Sequence, residues 1–402
     1  MNRKLATLTA TLFIAIIVLS LFLALNFFSN QAAARPFYIG VEYAYGNNQT
    51  AQVQLTQIEA LVDKVKNYTN LFVIGSVELT FNKPVLDEAC NYIFYAKLDF
   101  IVLFTSSNLY NSSASVGFND NYTIFSWMSD AKEKYGDRLL GIYKFDEPGG
   151  NQLDNTSSQF INMTTAGPNP TYDSLAESYV GGLSAHVDYY RNNAGVKFVT
   201  ADYGLYWFDY KSHYDTIFAE FVGIQSRQRI IALERGAAEA FNKDWGVIVN
   251  WKYNQGPYLE NGTELYTDLS LAYSAGAKYA IVFSYPTFPT NNPYGTLHDE
   301  HFEALQRFWS TLQSNPASLG SNKPEAAYIV PANYGFGFRS PSDTIWGLFP
   351  ADSLSPKIFD DTNNILPAMY GSRFDVLYDE PEVIAPMLGN YKAVFYWNQT
   401  IT

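Results

Sequence analysis

Apolar and polar residues alternate along this chain in two repeating patterns. Short continuous apolar runs, typical of buried parallel strands, are followed by stretches in which apolar residues recur every three or four positions, as in amphipathic helices. Eight such strand-helix pairs follow one another between residues 37 and 312. The predicted strands cover residues 37–43, 71–74, 98–104, 139–145, 196–201, 218–225, 246–251 and 279–284.

Helical patterns separate these strands. The clearest cover residues 54–65, 84–97, 174–193, 228–242, 265–275 and 298–312. Eight strand-helix repeats over about 275 residues match a (β/α)8 barrel, whose usual size is about 250 residues. A doubly wound open sheet is the competing architecture, although no Gly-x-Gly-x-x-Gly motif follows the first strand. We therefore expect a TIM barrel over residues 35–313.

The remainder of the chain predicts a second, smaller unit. Residues 314–323 are rich in polar residues, Pro and Gly, as expected of a linker. Apolar runs at 326–330, 374–377 and 393–397 read as parallel strands, with helical stretches near 366–371 and 380–387. Residues 324–402 are thus expected to form a small flavodoxin-like α/β domain, which is either incomplete or a reduced sheet that the last strand closes.

The first 34 residues form a hydrophobic leader. Arg3 and Lys4 precede an apolar run over residues 5–28, which is long enough to span a hydrocarbon core roughly 30 Å thick. The small residues at 32–34 also fit signal peptidase cleavage. We expect an uncleaved membrane anchor, with a cleaved signal peptide as the alternative. Either way the rest of the chain faces outside, and its Asn-x-Ser/Thr sequons could carry glycans.

The composition restricts the classes of ligand that the protein is expected to bind. The net charge is −13 and no Lys/Arg cluster lies outside the leader, which argues against nucleic acid or anionic lipid as a ligand. Aromatic residues make up 17% of the chain, including 31 Tyr, and their rings pack well against sugars. The single cysteine, Cys90, excludes an intrachain disulfide. The composition therefore favours a neutral ligand such as a carbohydrate.

The most informative motif is Asp146-Glu147-Pro148-Gly149-Gly150, directly after the fourth predicted strand. TIM barrels place their chemistry at the C-terminal ends of their strands. This strand end resembles the Asn-Glu-Pro of retaining barrel glycosidases, in which the Glu is the general acid/base. With the runs at 374–377 and 391–396, the chain is similar to family 42 β-galactosidases, which join a barrel to an amidotransferase-like domain.

Two departures from that family pattern affect the mechanism. Asp146 stands where the family has Asn, and the seventh strand ends in Asn250-Trp251-Lys252-Tyr253, without the nucleophilic Glu. Glycoside cleavage generally needs a proton donor and a second carboxylate that attacks or activates water. We expect Glu147 to be the acid. The candidates for its partner are Glu42, Asp146 and Asp202.

Aromatic and basic residues at or after other strand ends are candidates for substrate contact. They are Tyr43, Tyr203, Trp207, Trp251, Lys252, Tyr253 and Tyr285. No motif calls for a cofactor or a metal ion, and no P-loop or nucleophile elbow is present. The sequence predicts a membrane-anchored, cell-surface glycoside hydrolase. The alternative is a barrel without its nucleophile that binds glycans or has a structural role at the cell surface.

Overall fold

The structure, a computed structural model, describes residues 37–44, 49–80, 82–104, 124–154, 160–286 and 292–401. The predicted leader, residues 1–34, lies outside this part of the chain. Within the described ranges, no helix combines the length and the apolar character that a membrane span requires. The chain from Tyr38 onward forms one compact unit.

The first eight strands close into a parallel barrel, which confirms the predicted fold. The strands are β1 (Tyr38–Ala44), β2 (Leu71–Gly75), β3 (Asp99–Phe104), β4 (Leu139–Lys144), β5 (Phe198–Asp202), β6 (Thr216–Phe221), β7 (Asp244–Val249) and β8 (Tyr279–Ser284). Each strand pairs with the next in sequence, and β8 closes on β1. The strands are buried on both faces because helices cover the outside of the barrel, which explains their continuous apolar runs.

Helices occupy the connections between the strands and follow β8. They are α1 (Ala51–Val65), α2 (Val77–Thr80), α3 (Lys83–Tyr95), α4 (Ile124–Tyr135), α5 (Pro148–Asp154), α6 (Met163–Ala166), α7 (Tyr172–Ala194), α8 (Tyr206–Lys211), α9 (Arg227–Ala240), α10 (Gly262–Ala275) and α11 (Asp299–Ser314). Asn261 and Glu264 form a capping box at the start of α10. Gly276, predicted to stop this helix, adopts φ 94° after its last turn.

Two local predictions were wrong. The polar residues 151–170 predict an insertion between the fourth strand and the helix at 174–193, but residues 151–154 continue α5, whose first amides have a buried carboxylate partner, described below. The sixth strand was predicted over residues 218–225, whereas β6 ends at Phe221. A turn through Gly223, at φ 54°, and the Ser226 cap of α9 take up the remaining residues.

A three-stranded parallel sheet follows the barrel, as predicted. It contains β9 (Ala326–Val330), β10 (Phe374–Tyr378) and β11 (Ala393–Tyr396), in the order β10-β9-β11. Three further helices are α12 (Ser355–Asp360), α13 (Leu366–Tyr370) and α14 (Pro381–Leu388). The sheet packs closely on the barrel through α9. A Cβ atom at Gly236 in α9 would lie 2.5 Å from the Val376 carbonyl oxygen of β10.

Candidate active site

A cavity of about 510 Å³ opens at the C-terminal ends of the barrel strands. Volumes of this size are usual for small-ligand sites. The residues around it come from or follow all eight strands, together with one residue from beyond β9. The polar and aromatic lining residues are Glu42, Tyr143, Asp146, Glu147, Tyr203, Glu220, Asn250, Trp251, Phe283, Tyr285 and Arg339.

Glu147 lies between the end of β4 and the first turn of α5. Its backbone adopts φ 51°, a conformation that is strained for a residue with a side chain. The Glu147 amide donates to the Ala201 carbonyl, and its own carbonyl accepts from the Asn151 amide of α5. Neighbouring β5 and the following helix therefore fix the backbone of Glu147 at the mouth of the barrel.

Asp202, at the end of β5, holds the N-terminus of α5. Its carboxylate accepts hydrogen bonds from the amides of Gly149 at 2.6 Å and Gly150 at 2.8 Å. It also accepts from the amides of Tyr203 and Gly204. These bonds satisfy the free amides at the start of the helix. Asp202 is fully buried and is not among the residues that line the cavity.

The partner of Glu147 in the cavity is Glu220, which our sequence reasoning missed. Glu220 lies in β6, and the two carboxyl groups share a side-chain hydrogen bond. Such a bond needs a proton on one of the two groups. A signal was available in the sequence, because a Glu within an otherwise apolar buried strand is costly unless it has a specific purpose. The predicted strand at 218–225 places Glu220 in the middle of the strand, whereas β6 ends at Phe221 and brings Glu220 close to the C-terminal end.

Burial and neighbouring charges keep this pair protonated at unusually high pH. The pKa of Glu147 rises to about 7, first because burial disfavours the charged form and then because of the negative charge of Asp146. The pKa of Glu220 is raised well above its ordinary value by burial and by Glu147. The Asn250 side chain donates to Glu220 at 3.1 Å and fixes its orientation. The pair therefore holds at least one proton near neutral pH, and Glu220 is the group that retains it.

Two more carboxyl groups face the same cavity. The side chain of Glu42 fits against β2 because residue 75 is Gly, where a Cβ atom would lie 2.5 Å from the Glu42 carboxyl oxygen. Burial, with a contribution from Asp146, raises the pKa of Glu42 to about 8. The pKa of Asp146 is raised by desolvation, which a hydrogen bond from the Tyr143 hydroxyl partly opposes. Three of the four carboxyl groups that we proposed as catalytic thus lie together with Glu220.

Aromatic side chains form one wall of the cavity. The Trp251 ring packs at 5.0 Å from Phe283 and 5.4 Å from Tyr285, measured between ring centroids. Trp251 and Tyr285 are half-buried, so part of each ring stays open to the cavity. Tyr203 adds another half-buried ring after β5. Rings held in this way can stack on the apolar faces of a sugar.

The other proposed contact residues lie elsewhere. Tyr43 follows Glu42 in β1 and points to the opposite face, where its hydroxyl donates to Gln57 of α1 at 2.5 Å. Trp207 is buried between the barrel and the small sheet, where its indole donates to Glu380. Lys252 pairs with Glu264 at 2.7 Å, and Tyr253 is exposed beside it. Strand alternation and domain packing, which the linear sequence does not display, explain these placements.

Comparisons with known proteins identify the fold. No protein-family model and no curated protein matches the sequence. Among solved structures, the chain is similar to a protein named GH5_18 from Streptomyces cattleya in complex with GlcNAc, with a TM-score of 0.54 and 13% identity over 90% of this chain and 99% of that one.

A second similar structure is a GH5_18 variant from Bifidobacterium longum in complex with Manβ1-4GlcNAc, with a TM-score of 0.51 and 9% identity over 91% of this chain and 97% of that one. A third is α-L-fucosidase isoenzyme 2 from Paenibacillus thiaminolyticus, with a TM-score of 0.50 and 10% identity over 86% of this chain and 58% of that one. At these identities the likeness establishes the barrel fold that glycoside hydrolases use.

Proposed function

We propose that this protein is a glycoside hydrolase in which Glu147 is the general acid and Glu220 the second carboxyl group. The observation that carries this proposal is the hydrogen-bonded Glu147–Glu220 pair in a cavity at the C-terminal ends of the barrel strands. Barrel enzymes perform their chemistry at this end. Two carboxyl groups whose environment retains one proton supply both the acid and the base that glycoside cleavage requires.

In the empty site the shared proton resides on Glu220, whose pKa is raised further than that of Glu147. The mechanism starts when the substrate separates the two carboxyl groups and the proton moves across their contact to Glu147, which leaves Glu220 ionised. As the bond between the anomeric carbon and the leaving oxygen breaks, Glu147 transfers its proton to the oxygen. The ionised Glu220 either attacks the anomeric carbon, forming a glycosyl-enzyme that water then hydrolyses with Glu147 as the base, or removes a proton from a water that attacks this carbon. The negative charge of Asp146 favours proton retention on Glu147 until the leaving oxygen develops charge. The acid thus follows β4, and the second carboxyl group lies in β6. The family 42 resemblance places the nucleophile at the end of β7 instead, where this chain has Asn250.

Substrate entry must separate the two carboxyl groups. Retaining enzymes hold them about 5 Å apart and inverting enzymes about 6.5–9.5 Å apart, which is farther than a hydrogen bond. The Glu147–Glu220 bond therefore belongs to the empty site, and a sugar ring that inserts between the groups breaks it. Trp251, Tyr285 and Tyr203 supply the stacking surfaces for that ring.

The test is turnover in the variants Glu147→Gln and Glu220→Gln, each produced in the full chain. A panel of 4-nitrophenyl β-glycosides and the disaccharide Manβ1-4GlcNAc serves as the set of substrates, with Glu133→Gln on the barrel surface as the matched control. We expect each site variant to lower kcat by about 10²–10⁴-fold, the usual contribution of a positioned acid or base. The control should keep the wild-type rate.

Two outcomes would contradict the proposal. Unchanged turnover in Glu147→Gln would remove that residue from the mechanism. Binding of a glycan without cleavage by the wild type, with affinity unchanged in both variants, would instead favour the non-catalytic glycan-binding alternative. Gln keeps the shape of Glu, so a binding protein would lose only a charge-assisted hydrogen bond.

We also propose that the barrel lies outside the cytoplasm, attached to the membrane through residues 1–34. The support is the Arg3-Lys4 flank before the apolar run, together with the exposed positions of Asn67 and Asn261 within sequons. Protease added to intact cells should then remove the ectodomain. Full protection of the chain would defeat this topology. We propose in addition that the barrel is related to those of family 42 β-galactosidases and that the small sheet is related to their amidotransferase-like domain.

A further inference from the structure

The segment between β9 and α12 reaches the candidate active site. We call residues 331–350 the barrel-capping loop. The Trp346 carbonyl of this loop accepts a hydrogen bond from the Gln152 side chain at 2.8 Å, and Thr344 donates to the Leu153 carbonyl at 3.2 Å. Both partners belong to α5, the helix that begins directly after Glu147. The loop therefore packs along the helix that carries the proposed acid.

Arg339 extends from the barrel-capping loop to the cavity. Its Nε and Nη2 atoms each donate to Asp343 at 2.8 Å, and its Nη1 atom donates to Asp154 at 2.5 Å. Asp154 is the last residue of α5. Among the described residues that line the cavity, Arg339 is the one cationic side chain.

Tyr203 contacts both Asp154 and Arg339. Its hydroxyl donates to the second oxygen of Asp154 at 2.6 Å, and the Arg339 guanidinium lies 5.8 Å from the centre of its ring. On the other side the ring rests on the backbone of Gly150, where a Cβ atom would approach it to 2.2 Å. Arg339, Asp154 and Tyr203 thus connect the barrel-capping loop, α5 and the end of β5.

We propose that Arg339 is a positioning residue for the glycan site, through its hold on Asp154 and the Tyr203 ring. Asp202 fixes the N-terminus of α5, and Arg339 fixes its C-terminus. The bidentate contact to Asp343 orients the guanidinium, so Arg339 acts as a rigid link rather than as a free anion receptor. The sugar-facing ring of Tyr203 then keeps one orientation, which lowers the cost of ordering it when substrate binds. The glycan part of this inference rests on the proposed function.

The experiment compares Arg339→Ala and Arg339→Lys with the wild type in the full chain. The matched control is Arg191→Ala, since Arg191 also binds an aspartate, at 3.0 Å from Asp215, and is similarly exposed. Amide hydrogen exchange over residues 149–154 reports the hold on α5 without any substrate. Because Asp154 is half-exposed and solvent screens its pairing with Arg339, we expect exchange there to rise about two- to fivefold in Arg339→Ala, less in Arg339→Lys, and not at all in the control.

Kinetics with the 4-nitrophenyl β-glycoside that the wild type cleaves fastest supply the second readout. We expect Arg339→Ala to raise KM about tenfold while kcat falls less than about threefold, because Arg339 orients the binding ring and leaves Glu147 and Glu220 in place. Arg339→Lys, which keeps the charge but loses the fork, should recover part of the affinity.

The outcomes separate the two proposals. Unchanged exchange over α5 in Arg339→Ala would overturn the positioning role, and so would a loss of kcat with KM unchanged. Faster exchange over α5 in a protein whose wild type cleaves none of the glycosides would leave the link between loop and helix standing and reject the proposed hydrolase.

Discussion

Two regions of this protein treat buried charges in opposite ways. Between the barrel and the small sheet, Arg235 and Asp375 form a buried ion pair with Nε and Oδ1 2.7 Å apart. Every remaining donor of Arg235 is used by the carbonyls of Ala275, Asn322, Ser372 and Phe374, and Tyr391 donates to the second oxygen of Asp375. The charges of Arg235 and Asp375 are therefore both paired and fully hydrogen-bonded.

In the cavity, no cation among the described residues forms an ion pair with Glu42, Glu147 or Glu220. Burial raises the pKa of each, and the nearest charges are other carboxylates. Arg339, the cation at the edge, is already engaged by Asp154 and Asp343. Carboxyl groups without a paired cation, gathered in a cavity at the strand ends, are the arrangement that the proposed hydrolysis would use.

The largest expected effect on stability comes from removing one partner of the buried Arg235–Asp375 ion pair. Arg235→Ala leaves Asp375 charged and without its partner in a buried site, which should cost about 3–5 kcal/mol of unfolding free energy. Urea denaturation measures this as a lower transition midpoint. The double variant Arg235→Ala with Asp375→Ala should recover part of the loss. A single-variant cost below about 1 kcal/mol would mean that the two regions do not differ as we describe.

A smaller effect is expected from Glu42, and it should depend on pH. Because folding raises the pKa of Glu42 from 4.5 to about 8, the folded state is penalised as pH rises through this window and is unaffected below it. Glu42→Gln should therefore increase the free energy of unfolding at pH 9 by on the order of 2–4 kcal/mol and change it little at pH 4. Melting temperatures at the two pH values measure the difference. The same gain at both pH values would show that packing, and not charge, is responsible.

The sequence predicted the barrel well but the site only in part, and the reasons are physical. Strand and helix periodicity depends on local spacing, so β8 was predicted with its observed bounds. The Glu147 position followed from the strand end. The Glu147–Glu220 contact depends on how strands close into a barrel, and the role of Asp202 depends on where α5 begins. Arg339 comes from beyond β9, about 190 residues after Glu147, and no local pattern connects them.

The smallest effect is expected at a partly exposed pair that belongs to neither region. Lys252, which we considered for substrate contact, pairs with Glu264, a carboxylate that is 41% exposed. Burial lowers the pKa of Lys252, but the hydrogen bond and the charge of Glu264 act with other nearby groups to outweigh it, so the pKa is raised. The bond from Lys252 in turn lowers the pKa of Glu264.

Solvent and salt screen such a pair, so Lys252→Met should change the unfolding free energy by less than about 1 kcal/mol. The change should shrink further as salt is added from low ionic strength to about 1 M, which melting curves at both conditions would measure. KM for any glycoside that the protein cleaves should stay within about twofold of the wild type, because Lys252 does not line the cavity. A large rise in KM would instead place Lys252 in contact with substrate and would extend the functional region beyond its uncompensated carboxylates.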